Sequence, residues 1–266
     1  MATPATVWGA RCKGWWLANT TGTPVSQWTA ETGPNMIGDV SNQEPSTSTT
    51  PASQKSLVFQ APDGVNNDYL YAASTSWGFG TTSGKSFQLV FALKVAIGTS
   101  GTSYVAHVDS DAGTIRAWLT WTGSGAYLTA ETYLAAGGAV NKTTHASVPV
   151  GWSDIVIDIT TAGVMSIYVA GVLGSDPITL GSSSVSGVLE SPYLGAGHTG
   201  TVGVGEYDGL GSGGQAIEIC SPAVANDASN FSAGDIAAIH AVLLAYIAAP
   251  AAIGNGSLSM RMGLGL

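Results

Sequence analysis

Apolar side chains recur at every second position over much of this chain. Between 87 and 95, Phe87, Leu89, Phe91, Leu93 and Val95 fall on one side of an extended segment and Gln88 and Lys94 on the other. That is the period of a strand with one buried face. The same period runs through Ile115, Ala117, Leu119 and Trp121, then Ile155, Ile157 and Ile159, then Met165, Ile167 and Val169. Leu57 to Phe59, Val202 to Glu206 and Ala216 to Cys220 add shorter strand candidates. Clusters such as Gly98-Thr99-Ser100-Gly101 and Gly181-Ser182-Ser183-Ser184 punctuate them. Many short strands with such turns predict an all-β fold of antiparallel strands in two sheets, a sandwich or jelly roll.

One segment carries a helical period instead. Ser232 is placed to cap it, Asp235 follows three residues later, and Ile236, Ile239, Leu243 and Ile247 share a stripe. Pro250 stops it. The expected layout is therefore one domain over residues 1–250, closed by a helix at about 232–248, and an extended tail over 251–266. The stretch from Gly33 to Ser56, polar and holding Pro34, Pro45 and Pro51, reads as a loop excursion. In the tail, Leu258, Met260, Met262, Leu264 and Leu266 alternate strictly with small or polar residues. Such a strand suits assembly with another chain through a sheet edge, or packing on its own domain.

Composition narrows the function classes. Charged residues make up only 9% of the 266, against roughly 25% in ordinary domains. The surface therefore relies on Ser, Thr, Gly and Asn, which suits an exported protein or one packed into an assembly. The net charge is −9 and the eight Lys and Arg are scattered, so the footprint of a nucleic-acid binder is missing. No apolar run is long enough for a membrane span, and Met1 to Val7 lacks the features of a signal peptide. The Asn-x-Ser/Thr sites at Asn19, Asn141, Asn230 and Asn255 read as chance matches.

Five segments, in order, resemble concanavalin A-like (laminin-G type) domains. They are Gly14-Trp15-Trp16-Leu17-Ala18 with Val25-Ser26-Gln27-Trp28, and Leu57-Val58-Phe59 followed by Asp63-Gly64 and Asp68-Tyr69-Leu70. Then come Trp152 to Asp158, the hairpin Ile167-Tyr168-Val169-Ala170-Gly171-Val172 with Ala170 in place of the usual Asn, and Gly214 to Ile219. The resemblance covers about residues 7–248. It implies a concanavalin A-like jelly roll with Trp15, Trp28 and Trp152 at core positions. It also implies first and last strands that lie close together, bringing Cys12 near Cys220, either bonded or as two buried thiols. Relatives of this kind occur as glycan-binding modules, glycosidases and bacteriophage virion proteins.

The candidate chemistry is sparse. Glycosidases of this fold carry E-x-D-x-x-E, whose two glutamates divide the nucleophile and acid roles. Glu206, Tyr207 and Asp208 supply the first part, but Gly211 stands where the second glutamate belongs. No catalytic residue is assigned, and Glu206, Tyr207 and Asp208 remain ligand-binding candidates at a strand end. His107, His145, His198 and His240 form no metal-ligand spacing, and His240 reads as a satisfied or boundary histidine on the helix. Asp109-Ser110-Asp111 resembles half of a calcium loop, where relatives often bind calcium, though an Asp-capped hairpin turn explains it as well. No other cofactor is implied. The glycine-rich stretch from Gly195 to Gly214 has neither the lysine nor the helix of a phosphate loop. Trp77 and Trp118 are the tryptophans best placed to stack on sugar rings, the others reading as core.

Together these readings lead to a non-enzymatic structural protein of a phage-like particle, such as a capsid decoration, head fibre or tail-associated subunit. Its location is then the virion, and its partners are other virion proteins or copies of itself. The alternative is a free, extracellular glycan-binding module whose partners are cell-surface glycans. A glycoside hydrolase is the third reading, with neither nucleic acid nor membrane as a partner in any of them.

Overall fold

The computed structural model describes residues 2–17, 19–21, 25–38, 45–59, 70–72, 77–78, 85–98, 100–110, 113–121, 125–134, 140–174, 177–179, 188–195 and 215–248. A short helix α1 (Pro4–Trp8) opens the chain. The strands follow as β1 (Cys12–Trp15), β2 (Asn19–Thr21), β3 (Gln27–Thr29), β4 (Met36–Ile37), β5 (Ser46–Thr49), β6 (Lys55–Phe59), β7 (Leu70–Ala72), β8 (Trp77–Gly78), β9 (Ser86–Val95) and β10 (Gly101–Ser110). Then come β11 (Gly113–Trp121), β12 (Ala126–Leu134), β13 (Val140–Val148), β14 (Gly151–Ile159), β15 (Val164–Val169), β16 (Val172–Leu173), β17 (Ile178–Thr179), β18 (Val188–Leu194) and β19 (Ile217–Asp227). Helix α2 (Ala233–Ile247) closes the described chain.

The strands form two antiparallel sheets. In one the order is β16-β15-β14-β9-β19-β6-β5, with β1 on β19 and β17 on β15. In the other it is β13-β12-β11-β10-β18-β7-β4-β3-β2, with β8 on β18. The alternating residues of the sequence meet between them. Phe87, Leu89, Phe91 and Leu93 of β9, with Ile155, Ile157 and Ile159 of β14, share one core with Ala117, Leu119 and Trp121 of β11 and with Trp28 of β3. The mostly β architecture with one long C-terminal helix agrees with the alternation read from the chain.

The first sheet differs from expectation on its other face, which is also dry. Val90, Ala92, Val156, Cys220, Ala223 and Ala225 pack there against Trp8 of α1 and Ile239, Val242, Leu243, Tyr246 and Ile247 of α2. The central strands are therefore buried almost throughout rather than half-buried, with Lys94 the one exposed position of β9. The stripe on α2 is wider than the isoleucine and leucine spacing indicates, because Val242 and Tyr246 join it. Ser232 and Asp235 form a reciprocal capping box.

Three local features depart from the sequence reading. The 33–56 excursion contains β4 and β5, whose Ser46–Thr49 edge is polar and mostly exposed and so carries no hydrophobic period. Helix α1 is too short for periodicity to reveal, although Thr3 caps it and Pro4 occupies its first turn. Trp152 is half-exposed rather than core, with the Lys94 ammonium 5.8 Å from its ring centroid. Trp15, Trp16 and Trp28 are buried.

Cys12 and Cys220 are both free and both lie in the apolar layer beneath the helices. Burial pushes the Cys12 thiol up to about 11 and the Cys220 thiol up to about 12, the nearby Glu218 charge adding to the latter. Thiolate is the reactive form. A thiol reagent at pH 8 is therefore expected to label neither cysteine in the native protein and both after denaturation, which a colorimetric thiol count checks. Fast labelling of the native protein would contradict this burial.

The β15–β16 hairpin turns at Ala170 and Gly171, with φ of 51° and 73°. Val169 pairs with Val172 across it, so this is a two-residue turn that needs the left-handed region at both central positions. A β-carbon makes that region costly for alanine, whereas asparagine tolerates it. Ala170→Asn is expected to stabilise the fold by about 0.5–1 kcal/mol. Thermal unfolding should show a higher midpoint, and a lower one would refute the assignment.

Candidate functional site

Carboxylates buried in a fold are the first place to look for chemistry. The described part of the chain holds three on the helix-covered side of the first sheet, and each is engaged. Asp154 sits under α2, where its Oδ2 is 2.7 Å from Nδ1 of His240. Its Oδ1 is buried and has no partner among the described residues. Asp158 accepts a 2.8 Å bond from Gln88 Nε2, and Gln88 Oε1 in turn accepts from the Trp8 indole. Glu218 accepts from the Ser56 hydroxyl and, at 2.8 Å, from Lys94 Nζ. Asp154 and Asp158 are four residues apart on β14, about 13 Å. A pair flanking a glycosidic bond needs roughly 5–10 Å. Asp154 and, through Gln88, Asp158 tie the helices to the sheet, Glu218 ties β19 to β6 and β9, and His240 is a satisfied histidine.

The opposite side of the molecule is arranged differently. On β10 to β13, the core takes Ala106, Ala117, Leu119, Leu128, Ala130 and Ala146, leaving the intervening positions for the outer face. Register lines these up in rows. Thr120, Tyr127 and Ser147 make one, with Tyr127 43% exposed. Tyr104, Trp118 and Thr129 make the next, all three half-buried. Beyond a register shift between Tyr104 and Ala106, His107, Arg116 and Glu131 occupy matching positions. His107 and Glu131 are buried although they lie on the face away from the core. Side chains opposite one another on neighbouring strands are about 5 Å apart and diagonal ones about 7–8 Å. Three aromatic rings thus share a small area with hydroxyls and a titratable row.

This arrangement can hold a polar ligand that has an apolar face. Aromatic rings offer flat surface, and the hydroxyls of Thr120, Thr129 and Ser147 offer donors and acceptors, with His107 and Glu131 buried beneath the neighbouring row. Trp118, chosen from the sequence, lies at its centre. Asp109 pairs with Thr114 two residues further along β10, next to the β10–β11 hairpin, and Asp111 lies outside the described residues. Among the described residues there is no group of three or more His, Cys, Asp or Glu that could hold a metal ion. Trp77 belongs to the same sheet, in β8 beside β18. Counting strands and residues, it stands roughly 20 Å from Trp118, so the two do not form one subsite. Glu206, Tyr207, Asp208, Leu258, Met260, Met262, Leu264 and Leu266 lie outside the described residues. Tyr104, Tyr127 and Glu131 were not singled out in the sequence. The signal was there, as aromatic and acidic residues in the off-core phase of strands, but only register brings them beside Trp118.

No protein-family model matches this chain, and no curated protein does. Solved structures do. The receptor binding domain of botulinum neurotoxin D superposes with a TM-score of 0.59 at 10% identity, over 87% of this chain and 52% of that one. A structure of botulinum neurotoxin type C, whose cell entry is dependent upon interaction with two ganglioside molecules, gives 0.56 at 12% identity, over 88% and 52%. The binding domain of botulinum neurotoxin DC in complex with SialylT gives 0.56 at 12%, again over 88% and 52%. The chain thus spans about half the length of these solved chains, and the likeness is one of fold.

The buried Asp158 has a measurable consequence. Loss of hydration raises its carboxyl to about 6, against the opposing effect of the Gln88 hydrogen bond. The native state therefore keeps a proton that the unfolded chain releases near pH 4. Stability falls as pH rises from about 4 to about 6 and is flat above. Asp158→Asn is expected to add on the order of 1–2 kcal/mol at pH 7.5 and nothing below about pH 4. Urea unfolding at the two pH values checks this, and an equal effect at both would refute it.

Proposed function

We propose that this protein is a non-enzymatic glycan-binding module built on a concanavalin A-like jelly-roll sandwich, and that it binds sugar on the outer face of β10 to β13. The observation that carries this reading is the cluster of Tyr104, Trp118 and Tyr127 on a sheet face that neither helix covers, beside His107 and Glu131. Rings supply surface for the C–H faces of a pyranose, and the hydroxyls of Thr120, Thr129 and Ser147 in the same rows address its hydroxyls. The fold shared with neurotoxin receptor-binding domains supports the reading. Its weight is that of a fold likeness, since those chains are about twice as long as the aligned part. The order of the five sequence segments supports the concanavalin A-like assignment.

A second reading is favoured by the composition. With 9% charged residues, the surface suits a subunit held in an assembly, such as the outward-facing part of a phage-like particle, whose partners are copies of itself or other virion proteins. The two readings are compatible, because a decoration subunit can carry a glycan-binding face.

The test is a glycan array followed by titration of the best ligand. Saturable binding is expected, weakened at least tenfold by Trp118→Ala, with Trp77→Ala much milder. Trp118 is half-buried, so the variant should keep the wild-type circular dichroism. A flat array for the folded wild-type protein would refute the glycan reading.

A further inference from the structure

The two sheets meet at an open side where β13 ends one and the β15–β16 hairpin ends the other. A cleft of about 410 Å³ lies between them, lined mainly by Ala146, Pro149, Val169, Val172 and Leu173. Val172 is 68% exposed and Leu173 42%, and Val150, next to Pro149, is 52% exposed. Three of the six exposed large hydrophobics among the described residues therefore gather at this one place. Monomeric proteins seldom leave such a cluster uncovered.

We infer that the segment from Leu258 to Leu266 docks in this cleft within its own chain. Its Leu258, Met260, Met262, Leu264 and Leu266 present one apolar side, and unbranched methionine adapts well to an irregular groove. Polarity selects the cleft over the other end strands, β5 and β2 (Asn19-Thr20-Thr21). The β5 edge, Ser46-Thr47-Ser48-Thr49, offers hydroxyls to an apolar strand. Position agrees. Gly171 lies so close to α2 that a β-carbon there would be 3.0 Å from the His240 ring, and Ala248 follows eight residues later, about 12 Å along the helix. Ten further residues to Leu258 reach up to roughly 33 Å. A segment tethered within reach of its groove has an effective concentration in the millimolar range, so it outcompetes the same segment of another molecule.

Disulfide trapping in the full chain tests this. Leu173→Cys combined with Met262→Cys, oxidised at low protein concentration, is expected to give a monomeric intrachain crosslink on a non-reducing denaturing gel. Its yield should exceed at least tenfold that of Thr47→Cys with Met262→Cys at the β5 edge. The unsubstituted protein, whose own cysteines are buried, serves as the blank. A crosslinked dimer would overturn docking within the chain, and equal or absent trapping at both positions would overturn the cleft. A second pair, Val150→Cys with Met262→Cys, should lose at least fivefold in yield when Leu173→Asp puts a charge in the groove. No loss would overturn the apolar basis of the docking.

Discussion

Strands buried on both faces have almost no solvent side on which to leave polar side chains, and most of what is unusual here follows from that. Strands β9, β14 and β19 face the shared core on one side and the two helices on the other. Every polar group on the helix side must then find a partner or lose hydration uncompensated. The chain meets this with small sets: Trp8 with Gln88 and Asp158, Ser56 and Lys94 with Glu218, and His240 with Asp154, whose Oδ1 is left without a partner among the described residues. At the rim Arg11 grips Asp235 with contacts of 3.2 and 2.6 Å, holding that carboxyl down at about 2, and its guanidinium lies 4.9 Å from the Phe231 ring centroid.

That cost on one side frees the other. Because the helices and the chain's beginning are committed to the first sheet, strands β10 to β13 of the second carry their off-core residues on a face that α1 and α2 do not reach. Aromatic rings stand there next to hydroxyls, an arrangement with no packing role in the core. Asp154 and Asp158 lie beneath the helices, while the aromatic cluster and the buried Glu131 lie on the far side.

How much of this could be read from the chain depends on what each residue faces. Phe87 to Val95 was readable because one phase meets the core, but the second phase, Val90 and Ala92, is also buried, and nothing in a single strand announces the helix that covers it. Strand β5 leaves no mark in the sequence, because Ser and Thr on a mostly exposed edge carry no hydrophobic period. Trp118 was readable as an outsider to the Ala117-Leu119 phase. Its neighbours Tyr104 and Glu131 were not, since pairing across hairpins fixes who stands beside whom, and a bulge shifts that pairing by a residue. His240 was readable as a boundary residue from its place on α2, whereas its partner lies 86 residues away.

The position of β19 sets the order of events in the life of the molecule. It is the last described strand, yet it runs between β9 and β6 near the middle of its sheet, and β1 also pairs with it. Until a ribosome has released residue 227, the sheet has a gap where its central member belongs, and both neighbours show unpaired edges. Loop closure over such separations is slow, and open edges invite wrong partners. The first half of the chain therefore waits, and its sparse charge gives it little protection while it does.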